Sequence, residues 1–175
     1  MPPLSAPPYR ESVAGNWRHC LERGGSVVTV NQRLARLLRN RFDAYQLGRG
    51  ESIWPSPDIL PWPVWLQRCW TTCAEQSNEP FPALLGPEQV LALWSSIVSR
   101  AAPGLLRVEE AAQNAAAAWH NLHQWEVEPA VLSGAAGDDV RVFLTWAHDY
   151  ERLTERHGWI DSARVSRRLG ELAVA

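Results

Sequence analysis

The stretch from Ser26 to Phe42, SVVTVNQRLARLLRNRF, decides the fold, because a short β-branched run passes directly into an amphipathic helix studded with arginine. Val27, Val28 and Val30 favour an extended backbone, Asn31 suits a helix N-cap, and Leu34, Leu37, Leu38, Phe42 and Tyr45 then recur at helical spacing. A strand handing over to a helix in this way is the layout with which many nucleotide-dependent α/β proteins face their ligands. The turn nevertheless contains no G-x-x-x-x-G-K-[ST], and the chain has no lysine. Both the phosphate cradle and its cation are missing.

Outward from this stretch the pattern is helical, with turn chemistry between the helices. The proline-rich residues 1–9 are expected to form a disordered lead-in, followed by a helix from about Arg10 to Glu22 that Gly24 and Gly25 end. The helix opened by Asn31 should run to about Leu47. Residues 48–63 hold four prolines and two glycines and must be irregular, although Ile59 and Leu60 suit a very short extended piece. Further helices are expected from about Pro63 to Gln76, from Pro87 to the Pro103-Gly104 stop, and from Leu106 to Trp125. Two more should run from an Asp138 or Asp139 cap to near Gly158, and from an Asp161 cap through Leu172. The expected fold class is therefore α/β but predominantly helical, with one or two short strands and about seven helices in a single domain over residues 10–175. A lone strand leaves its backbone groups unpaired, so an incomplete sheet is the natural resolution.

Composition narrows the function. At 175 residues, 46% hydrophobic and 21% charged, the chain can bury one real core, and no apolar run is long enough to span a membrane. The N-terminus lacks the order of a secretion signal, which points to a cytoplasmic protein. Net charge is −2, but Met1–Glu75 holds nine arginines against six acids and the remainder eight against thirteen. The excess around Arg33, Arg36, Arg39, Arg41 and Arg49 suits a phosphate backbone, though solvated arginines on any amphipathic helix look the same. His120 and His123 lie three apart without enough further ligands for a metal, so no metal or cofactor is expected. Cys20, Cys69 and Cys73 fall on apolar stripes and read as reduced core thiols, not nucleophiles. Of the ten tryptophans, Trp17, Trp70, Trp94, Trp119 and Trp146 belong to core stripes. Trp54, Trp62 and Trp65 cluster with prolines, where they either pin the loop or stack on unpaired bases.

Three segments carry a family resemblance: VVTVNQRLARLLRNRFDAYQ, then WPSPDILPWPVWLQRCW, then HDYERLTERHGWIDSARVSRRL. In this order they resemble the amino-terminal part of bacterial DNA repair proteins of the PD-(D/E)XK nuclease family, which are similar to one of the two chains of the ATP-dependent helicase/deoxyribonuclease. The resemblance implies an incomplete P-loop-helicase-like lobe, part of a larger protein. Thr29 to Arg36 is similar to the superfamily 1 helicase segment in which a strand and its following helix touch single-stranded DNA. By that resemblance Thr29, Asn31, Gln32 and Arg33 would contact DNA, with Arg36 extending the basic face and Trp62 offering a stacking ring. Plainer roles exist for each: Asn31 as a cap, Thr29 facing a neighbouring strand, Arg33 solvated.

Without Walker A, Walker B or nuclease motifs, neither ATP hydrolysis nor DNA cleavage is expected from this chain. The expected function is a non-catalytic helicase-like module of a DNA repair or recombination nuclease, binding or positioning single-stranded DNA or scaffolding the nuclease. Its partners would be single-stranded DNA and the rest of its own polypeptide or a nuclease or helicase subunit. The alternative is a helical protein-interaction module with tryptophan-rich docking faces and no nucleic-acid role.

Overall fold

Strand β1 (Val27–Thr29) runs parallel to β2 (Ile59–Pro61), with Val27 opposite Ile59, Val28 opposite Leu60 and Thr29 opposite Pro61. Helix α2 (Gln32–Gly48) connects them, so these residues form a βαβ unit. Asn31 is extended and its side chain accepts from the Leu34 N–H, which fixes the start of α2. The helix buries Ala35 and Phe42, and Ile59 of β2 is also fully enclosed. A short helix α1 (residues 17–22) precedes the sheet, and α3 (Trp62–Gln76) begins where β2 ends.

The computed structural model describes residues 17–132 and 137–174. The expected lead-in over residues 1–9 and the start of the helix expected at Arg10 lie outside the described residues. The chain divides into two units, one up to Leu66 and one from Gln67 onward.

The second unit is built from α4 (Pro87–Ala101), α5 (Val108–Gln124), α6 (Pro129–Leu132), α7 (Asp138–His157) and α8 (Ser162–Val174). Its core joins Trp94, Ile97 and Val98 of α4 to Ala112, Ala115 and Trp119 of α5 and to Ala147 and Tyr150 of α7. Alanines at 112 and 115 let α4 and α5 approach closely, while Trp94 stacks on Tyr150 with ring centroids 4.5 Å apart. Each such large side chain contributes roughly 1.5–3 kcal/mol through burial.

Two features depart from the sequence expectation. A second parallel pair, β3 (Ala83–Leu84) with β4 (Trp159–Ile160), occurs where only breaks were expected. Helix α7 is capped by the backbone of Gly137, without a side-chain cap bond, and Asp138 and Asp139 occupy its first turn instead. There their charges meet the positive end of the helix dipole. At its other end Gly158 adopts φ 64°, the left-handed cap that the sequence indicates. Among the described residues no helix is long and apolar enough to cross a membrane.

Candidate nucleic-acid interface

In the first unit both strands point the same way, so α2 and α3 start at one edge of the sheet. The register of Thr29 with Pro61 sets the first turn of α2 beside that of α3. Ligands of open α/β sheets are held at such carboxyl edges, where helix N–H groups face outward.

The residues expected there divide into two kinds. Thr29 is only 4% exposed, and its hydroxyl donates to the Asn31 carbonyl at 3.0 Å and the Leu60 carbonyl at 3.3 Å. It ties the two strand ends together from inside. Asn31 is exposed, but its Oδ1 accepts the Leu34 N–H at 2.9 Å. Gln32, Arg33 and Arg36 are exposed on the outer face of α2, and among the described residues neither arginine has an ion-pair or hydrogen-bond partner. Arg41, further along that side, is exposed in the same way. Arg39 differs: its guanidinium donates to the Ile59 carbonyl.

Trp62 is 45% exposed at the first position of α3, and its ring stacks on Trp65 at 5.2 Å and 24°. Trp54 plays the other role foreseen for this cluster. Its Nε1 donates to Asp43 at 2.8 Å and pins the proline-rich segment to α2.

The acids of this unit collect at the opposite end. A cavity of about 740 Å3 there is bordered by Glu22, Glu51, Asp58, Arg49, Phe42 and Trp54. Glu22 is bridged by Arg49 at 2.8 Å, and Ser26 donates to Asp58. A hydrogen bond with Tyr45, followed by the nearby Glu22 charge, pushes the Arg49 guanidinium above its ordinary value. Charge is thus polarised along the βαβ unit, with unpaired arginines toward the carboxyl edge and carboxylates at the amino ends.

The second unit holds a polar constellation that sequence reading saw only in part. Asp161, 2% exposed, caps α8 through the Ala163 N–H, pairs with Arg164 at 3.1 Å and accepts Trp119 Nε1 at 3.1 Å. Arg164 continues to the Thr154 hydroxyl at 2.8 Å. Burial and the Asp161 charge push the neighbouring Tyr150 hydroxyl well above its ordinary value. Burial lowers His123, whose ring stands edge-on to Trp119 at 4.2 Å. Every strong donor and acceptor in this network faces another part of the core, which is the geometry of a structural tie.

Among the described residues no group of three or more His, Cys, Asp or Glu is placed to hold a metal ion, and the three cysteines are free and half-buried. Comparison with protein-family models, with curated proteins and with solved structures returns no match for this chain.

Proposed function

We propose that this chain is a non-catalytic, helicase-like module that binds single-stranded DNA at the carboxyl edge of β1 and β2. The observation that carries this reading is the combination, on one βαβ unit, of unpaired Arg33 and Arg36 with the exposed, stacked Trp62. Guanidinium groups neutralise phosphates without reading sequence, and an exposed indole at the same edge offers a face to an unpaired base. Arg33 and Arg36 stand one turn apart along α2, a spacing suited to following a backbone rather than gripping one terminal phosphate. The sequence supports the same assignment through its resemblance to the DNA repair nucleases, in which this module would position a strand for catalytic parts elsewhere. Nothing in the βαβ turn offers the lysine that a triphosphate requires.

The test is equilibrium binding of a labelled oligothymidine across a salt series. Binding at low salt that weakens linearly on a log-log plot supports the reading. Absence of binding at low ionic strength removes it.

A further inference from the structure

The two outer edges of the β1·β2 sheet are unlike. The Val27 N–H donates to the Asp58 carbonyl at 2.8 Å. In a parallel ladder alternate residues face alternate neighbours, so Val27 and Thr29 bond to β2 while the N–H and C=O of Val28 point away from it. The corresponding outward groups of β2 belong to Ile59 and Pro61. Each is closed: the Ile59 N–H donates to the Pro57 carbonyl at 2.9 Å, the Ile59 carbonyl accepts from Arg39, and Pro61 has no N–H. Proline and a capping side chain are the means by which sheet edges are protected from further pairing. The edge of β1 has neither, and Val28 and Val30 beside it are 39% and 79% exposed.

We infer that the open edge of β1 is a docking site for an extended segment of another polypeptide, which adds to the sheet as a third strand. The pattern of bonding groups selects this class of partner, because an outward N–H and C=O on one residue are matched by an extended backbone. The segment carries an apolar, β-branched or aromatic residue where it lies against Val28, on the face away from α2. A second copy of this chain fits less well. Antiparallel pairing of two β1 edges about Val28 would place both α2 helices on one face of the joint sheet, bringing two sets of unpaired arginines together. The inference stands on the edge geometry and is independent of nucleic-acid binding.

The experiment selects peptides from a random decapeptide display library on the immobilised full chain and measures their binding to wild type, Val28→Pro and Val28→Ala. Proline removes only the outward N–H, which the β1·β2 ladder does not use. Expected are peptides of alternating apolar pattern whose affinity falls about tenfold or more on Val28→Pro, the effect of one lost hydrogen bond, and stays close to wild type on Val28→Ala. Should Val28→Pro fail to fold, Val28→Lys keeps the N–H but charges the apolar face, and is expected to weaken the same peptides. No enrichment, or peptides indifferent to both variants, overturns the proposal. So does a Val28 amide already protected from hydrogen exchange in the isolated chain, or a dimer that Val28→Pro dissociates, which would assign the edge to a second copy.

Discussion

The indole N–H of Trp119 donates to Oδ2 of Asp161 at 3.1 Å across 42 residues of sequence, joining α5 to the first turn of α8. The same carboxylate holds Arg164, itself only 15% exposed. Removing it leaves a guanidinium enclosed without its counter-charge and an indole donor without an acceptor. Asp161→Ala should therefore destabilise the protein by about 3–5 kcal/mol, the usual cost of breaking a buried pair. Asp161→Asn retains the cap and should cost less. Urea unfolding followed by tryptophan fluorescence measures both.

Tyr150 behaves in the opposite way. Its ring is fully buried against Trp94 and Trp119, but its hydroxyl is enclosed without a hydrogen-bond partner. Tyr150→Phe keeps the ring contacts and removes the unsatisfied oxygen, so stability should stay unchanged or rise by about 1 kcal/mol. A loss of more than this in the same urea assay would show that the hydroxyl is held.

Burial makes His123 a source of pH-dependent stability. Its folded pKa lies below the ordinary 6.5, with burial the main cause; Asp161 opposes the shift and Arg164 and Arg167 add to it. The unfolded chain therefore binds the proton more readily, and stability rises with pH through the region below about 6.5. It is lost as pH falls through that value toward the folded pKa. In His123→Gln the urea midpoint should vary less between about pH 5 and 6.5 than in wild type, because this titration is gone.

How much of this was legible in the sequence depended on how local each cause is. The valine run and the Asn31 cap define β1 and α2 through neighbouring residues alone, and Asp161 signals the start of α8 in the same way. The pairing of β1 with β2 was half visible, since Ile59 and Leu60 are extended but nothing local names their partner. Two-residue strands such as β3 are too short to show any period. Arg36 and Arg39 look alike one turn apart, yet one is unpaired and the other caps the Ile59 carbonyl. Only the position of β2 separates them. Thr29 is similar: a strand-end hydroxyl suits a ligand until Leu60 supplies an acceptor.

Gly25 marks a close approach that residue type alone hides among several turn glycines. Its N–H donates to the Cys20 carbonyl at 2.8 Å, and a Cβ built there would meet Cys20 Sγ at 2.5 Å and the Cys20 carbonyl oxygen at 2.9 Å. Backbone lies on that side, so rotation of the thiol cannot relieve the whole clash. Gly25→Ala should cost about 1–3 kcal/mol, as overpacking does. Gly24→Ala, with open space but φ 76°, should cost about 1 kcal/mol through the left-handed backbone alone. Thermal unfolding of the pair separates steric from torsional strain.

Trp54 and Trp62 give the sharpest test of the interface, because sequence placed them in one cluster and the structure gives them different work. Trp54 is half-buried and bonded to Asp43, so Trp54→Ala should lower the unfolding midpoint by loosening residues 51–58 from α2. Trp62 is exposed and donates no bond of this kind, so Trp62→Ala should leave the midpoint nearly unchanged. It should nevertheless weaken oligothymidine binding by roughly 1–3 kcal/mol, the contribution of one stacked base. Arg33→Ala with Arg36→Ala should flatten the log-log salt slope by about 1.4, corresponding to two phosphates on a single strand. A slope unchanged by the arginine pair would place the phosphates elsewhere, whatever Trp62 does. An affinity lowered by Trp54→Ala but untouched by Trp62→Ala would remove the stacking role and leave both indoles as parts of the scaffold.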